Sequence, residues 1–102
     1  MELAFATQRL RAACEDGGIA AKDYNDLVVA QLQARLADLR AAESIHDLLA
    51  GNPRTHSGQV LIEIADGFVL VAKPNHRVVP LAGDGTVDWA RVRRLQILGI
   101  SR

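Results

Sequence analysis

Seven residues could handle a phosphate group: Arg54, His56, Lys73, His76, Arg77, Arg93 and Arg94. Guanidinium and ammonium groups bind phosphate oxygens through charge-assisted hydrogen bonds. An imidazole changes charge near neutral pH, so a histidine among such cations can also give or take a proton. The pattern assigns His56, Arg54 and His76 to chemistry, and Lys73, Arg77, Arg93 and Arg94 to holding the phosphate. Other chemistries find no support. His46, His56 and His76 are scattered, with no HExxH and no cysteine pair, so no metal is expected. Gly17-Gly18 and Gly83-Asp84-Gly85 lack the spacing of a phosphate loop, and Ser57-Gly58 lacks a nucleophile-elbow context. No cofactor is expected.

A hairpin is what would gather these residues. Val60, Ile62 and Ile64 alternate with Leu61, Glu63 and Ala65, and Asp66-Gly67 follows, the dipeptide of a type I′ turn. Phe68, Leu70 and Ala72 then alternate with Val69, Val71 and Lys73, and Pro74 closes the strand. If Ala65 pairs with Phe68, His56 lies opposite Arg77 and Val60 opposite Lys73. A last strand over Leu95–Ile100, antiparallel to Phe68–Lys73, would start Arg93 and Arg94 at the same end. Asn75 to Asp88 reads as a loop.

The N-terminal half has a different period. Met1–Ala6 reads as a short strand, and Thr7 caps a helix running to about Glu15. Leu10, Ala13 and Cys14 share its inner face, and Gly17-Gly18 stop it in the left-handed conformation. From Ala20 to Ala42, Tyr24, Val28, Leu32, Leu36 and Leu39 draw one apolar stripe at helical spacing. Ser44 with Asp47 resembles a capping box opening a short third helix, with Ile45, Leu48 and Leu49 buried and Gly51-Asn52-Pro53 ending it. Helices followed by a mostly antiparallel sheet make an α+β fold, in one domain over residues 1–102.

Composition bounds the rest. Of 102 residues 49% are apolar and only 4% aromatic, enough for an aliphatic core and too much for a disordered chain. No run of about 18 apolar residues exists to span a membrane. Twelve basic and twelve acidic residues cancel, which argues against a strongly basic nucleic-acid binder. The balance hides an asymmetry. Residues 1–52 hold five basic and eight acidic groups, and residues 53–102 hold seven basic and four acidic ones. One cysteine, Cys14, permits no internal disulfide, and no basic segment followed by an apolar stretch opens the chain, so a cytoplasmic location is expected.

Several stretches, in order, resemble the HigB-type toxins of the RelE/ParE toxin–antitoxin superfamily. Glu2–Thr7, Arg9-Leu10-Arg11 and Cys14 are similar to that family's opening strand and helix. Leu32–Leu36, Leu39, Ala41–Ile45 and Asp47-Leu48 are similar to its long helix and the turn after it. Val87-Asp88-Trp89, Val92, Leu95 and Ile97-Leu98 are similar to the approach to its last strand. The resemblance implies two N-terminal helices, plus a short third, on a curved antiparallel sheet. It also implies a ribosome-dependent, metal-independent endoribonuclease that cuts mRNA, partnered by a cognate antitoxin of helix-turn-helix type. Arg54 and His56 are the residues that best match family positions, while His76 and Arg77 are candidates by geometry. The chain departs from the family at three points. The basic loop before the hairpin shrinks to Thr55–Gly58, Val69 stands where an arginine is common, and the chain ends at Ser101-Arg102 without a Tyr-His pair. These departures imply an alternative, a catalytically degenerate member that mainly binds its partner protein.

Overall fold

A computed structural model describes residues 1–102. Strand β1 (Glu2–Phe5) leads into helix α1 (Gln8–Glu15), whose cap is Thr7: its hydroxyl accepts the Leu10 N–H at 3.1 Å. Asp16 then leaves the helical region, with φ of −127°, and caps a separate helical turn, α2 (Gly17–Ala20), by accepting the Gly18 and Ile19 N–H groups. Gly17 and Gly18 therefore open a helix; the expected left-handed stop is absent, and neither residue has positive φ. An aspartate carboxylate supplied the end signal in their place.

Helix α3 (Asp26–Ala41) carries the predicted stripe. Val28, Leu32, Leu36 and Leu39 are fully buried. The helix starts later than the spacing implied because Asn25 accepts the Val28 N–H at 2.9 Å and fixes the first turn there. Tyr24 stays outside the helix and meets Phe68 edge-on, with ring centroids 5.2 Å apart. At the other end the Met1 ammonium donates to the carbonyls of Leu39, Arg40 and Ala42, opposite in charge to a helix C-terminus.

The short third helix expected from the sequence is the fourth helical element, a single 3-10 turn over Ile45–Asp47. Ser44 accepts the His46 N–H, and the Asp47 carboxylate accepts those of Glu43 and Ser44. Ile45 is buried and Leu48 packs on the core, but Leu49 is fully exposed, contrary to expectation. The backbone is already extended at Leu48, so successive side chains alternate outward. Gly51 then turns the chain at φ of +85°, and its carbonyl accepts the Glu63 N–H. A Cβ there would sit 2.5 Å from Ile62 Cγ2, so the approach requires glycine.

Five strands form one sheet in the order β1-β5-β4-β3-β2. They comprise β2 (Arg54–His56), β3 (Gln59–Glu63), β4 (Val69–Pro74) and β5 (Arg94–Ser101) with β1. Strand β1 runs parallel to β5, and the other pairings are antiparallel. The architecture is thus an α+β fold with a mostly antiparallel, open sheet.

Asp66-Gly67 do form the turn, both with positive φ, and the Phe68 N–H donates to the Ala65 carbonyl. The register differs by one residue from the expected one. The Ile64 N–H donates to the Phe68 carbonyl, Ala65 is an extra residue, and Val60 faces Ala72, not Lys73. The reason is burial. Only this register puts Val60 and Ile62 beside Leu70 and Ala72 on the core face, and a one-residue slip would have set Lys73 against buried Val60. A second irregularity, at Val71/Ala72, leaves Leu98 unpaired in β5. The core lies between the helices and this face of the sheet. Trp89 and Val92 close it from the Asn75–Arg93 connection, which holds a second 3-10 turn over Trp89–Arg91.

Candidate functional site

The segment before β3 folds back on it. Ser57 and Gly58, with φ of 50° and 77°, make a tight turn, so β2 pairs with β3 and His56 lies opposite Gln59. The expected pairing of His56 with Arg77 does not occur, because β3 does not extend back that far. Lys73 lies opposite Gln96. Continuing the β3–β4 register by one residue places Gln59 beside Lys73. His56, Gln59, Lys73 and Gln96 therefore form one cross-strand row at the open end of the β3–β4 hairpin.

Two adjoining clefts open along this row. One, of about 320 Å³, is lined by Thr55, His56, Ser57, Gly58, Gly85, Thr86, Val87 and Trp89. The other, of about 440 Å³, is lined by Gly58, Lys73, Pro74, Asn75, His76, Val79, Val87 and Gln96. Gly58 and Val87 belong to both. No carboxylate lines either cleft. Their polar groups include the Lys73 ammonium, two imidazoles, the Thr55 and Ser57 hydroxyls and the Asn75 and Gln96 amides, which can donate to an anion; the Thr86 hydroxyl is already spent on Asp84. The loop opposite the β2–β3 turn is held in shape by Asp84, which accepts the Thr86 hydroxyl at 2.6 Å and its N–H at 3.0 Å. Those bonds from Thr86 hold the Asp84 carboxyl below its ordinary range.

The seven expected residues divide. His56 lines one cleft, and Lys73 and His76 line the adjoining one. The His76 ring is engaged: its Nε2 accepts the Arg93 N–H at 2.9 Å and the Arg94 N–H at 3.3 Å. Arg54 lies opposite Leu61, away from the clefts, with Glu63 3.8 Å from its guanidinium. Arg77 lines neither cleft. Arg93 donates to the Ala90 carbonyl, and Arg94 pairs with Glu2 at 3.0 Å. The sequence reading missed Thr86, Val87 and Trp89, along with strand β2. The Ser57-Gly58 dipeptide was the available signal for that strand.

A third depression, of about 700 Å³, lies at the end of α3, lined by Asp38, Ala41, Ala42, Glu43, Asp47, Leu48, Leu49 and Ala50. Cys14 is buried between the helices, and burial pushes its thiol up from 9.0 to about 11. No cluster of histidine, cysteine and carboxylate side chains is placed to hold a metal ion, and no helix is long and apolar enough to cross a membrane. No family model, curated protein or solved structure matches the chain.

Proposed function

We propose that the chain is a HigB-type toxin of the RelE/ParE superfamily that cuts mRNA on the ribosome, with the paired clefts facing the RNA. The observation that carries this reading is a pair of adjoining clefts, one lined by His56 and the other by Lys73, with no carboxylate in either lining. The reaction is attack of a ribose 2′-oxygen on the adjacent phosphorus. The P–O5′ bond breaks, leaving a 2′,3′-cyclic phosphate and a 5′-hydroxyl. A base takes the 2′-hydroxyl proton, an acid supplies one to the departing 5′-oxygen, and a cation stabilises the crowded phosphate. His56 is exposed in its cleft and serves as base or acid. Lys73 holds the phosphate. Arg54, Arg77, Arg93 and Arg94 are not needed for this step.

A second reading gives the chain an antitoxin-binding role with weakened catalysis. The fully exposed Leu49 beside Glu43 and Asp47 supports it, since that groove suits a basic amphipathic segment of the antitoxin. One induction experiment tests both. Expression in a bacterial host is expected to arrest growth and fragment transcripts, and His56→Ala to relieve both. Co-expression of the product of the adjacent gene is expected to restore growth and yield a co-eluting complex. Unchanged growth and intact transcripts would sink the nuclease reading. Failure to co-elute would sink the binding one.

A further inference from the structure

We propose that His76 is a positioning residue whose neutral ring locks the Asn75–Val92 loop over the Lys73 cleft and releases it on protonation. Three hydrogen bonds join the exit of β4 to the entry of β5. The Asn75 N–H donates to the Arg94 carbonyl at 2.9 Å, and the Arg93 and Arg94 N–H groups both donate to His76 Nε2. A ring nitrogen that accepts carries no proton, so the proton of the neutral ring is on Nδ1. Protonating Nε2 replaces the acceptor with a donor facing two amide donors, and both bonds are lost.

The consequence is local because of how the loop is anchored. Its far end is held by Trp89 and Val92 in the core. Its tip is tied internally by Ala82 to Thr86 and by Asp88 to Pro80. Asn75 stays bonded to Arg94, and the segment with no backbone tie of its own is His76 to Val79, whose ends His76 and Val79 line the Lys73 cleft. The His56 cleft is walled by Gly85–Trp89 and keeps its shape. The charged groups on the elements around the ring are Lys73 on β4, Arg77, Asp84, Asp88 and Arg91 in the loop, Arg93 and Arg94 at the start of β5, and Glu2 on β1; Asp84 is engaged by Thr86, Asp88 by Arg91 and Glu2 by Arg94. The surroundings offer a new imidazolium no free carboxylate partner.

This device does not depend on what the cleft binds; its effect on RNA cleavage rests on the function proposed above. The test follows the ring nitrogens and the backbone amides by NMR from about pH 8 to pH 5, across the range of imidazole titration. At the upper limit His76 Nε2 is expected to be unprotonated. As pH falls, the Arg93 and Arg94 amide resonances are expected to shift with the ring, together with that of Val79. His76→Gln presents a carbonyl oxygen that accepts but does not titrate, so its Arg93 and Arg94 amides should keep their closed positions throughout. An Nε2 protonated near pH 8 would overturn the proposal, as would amides that stay still while the ring titrates, or a Gln variant that titrates like the parent. Cleavage that falls with pH in the parent but not in His76→Gln would extend the device to the nuclease. Absence of cleavage in both would count against the nuclease reading and leave the NMR result to decide the clasp.

Discussion

The groove at the end of α3 and the paired clefts beside the Ser57-Gly58 turn differ in charge and in what their charges already do. Three carboxylates line the groove, and two of them are engaged in the fold: Asp38 lies 3.4 Å from Arg35, and Asp47 accepts two backbone N–H groups. The clefts have no carboxylate, and their ammonium, Lys73, is exposed and opposite a neutral glutamine. Charge in the groove largely holds secondary structure together, whereas the Lys73 ammonium in the cleft makes no ion pair. The same distinction applies among the cations. Arg54, Arg93 and Arg94 look like phosphate binders in the sequence but are occupied by Glu63, the Ala90 carbonyl and Glu2. The zero net charge of the chain is therefore uninformative about the clefts: no acidic residue lines them, and Asp84, next to Gly85 in the chain, is engaged by Thr86.

The largest expected effect tests whether the two regions belong to one cooperative unit. Leu36 is fully buried where α3, whose end builds the groove, packs on the sheet that builds the clefts. Leu36→Ala should cost about 2–5 kcal/mol in chemical denaturation, a large share of the ~5–15 kcal/mol typical of a domain. Probes placed in the groove and in the clefts should lose structure in one transition. Separate midpoints would split the comparison into two independent parts.

A smaller effect comes from Cys14, which lies in neither region. Its raised thiol stabilises the fold while it stays protonated. That contribution is fully present below pH 9 and is lost as pH rises from 9.0 towards about 11. Thermal melting should therefore fall over this range by more in the parent than in Cys14→Ala. Equal slopes would remove burial of the thiol as a source of alkaline instability.

Much of the scaffold was legible in the sequence. The stripe from Val28 to Leu39, the Ser44–Asp47 cap and the Asp66-Gly67 turn each report a local rule, and each appears in place. The register did not follow from the turn alone, because the dipeptide fixes where the chain reverses and not whether an extra residue, Ala65, enters the ladder. Burial of Val60 and Ile62 opposite Leu70 and Ala72 decides that, and the alternation of those residues already carried the information. The site was half legible. Lys73 reaches the open end of the hairpin by strand geometry, which periodicity reports, whereas His56 reaches it on β2, a strand too short to show a period. The engagement of His76 was hidden because its partners are backbone N–H groups eighteen residues away at most, and no side-chain pattern encodes them.

The most direct test of the cleft as an RNA-facing surface is binding of a short single-stranded RNA to the purified protein at about 0.15 M salt, where the Debye length is about 8 Å, with one charge reversed in each region. Phosphate contacts dominate such affinity, so Lys73→Glu is expected to weaken binding at least about tenfold, ~1.4 kcal/mol. Glu43→Lys, in the groove, is expected to leave affinity within about twofold, the change in net charge alone acting only weakly at a distance. Unaltered binding by Lys73→Glu, or equal effects of the two reversals in either direction, would contradict the account.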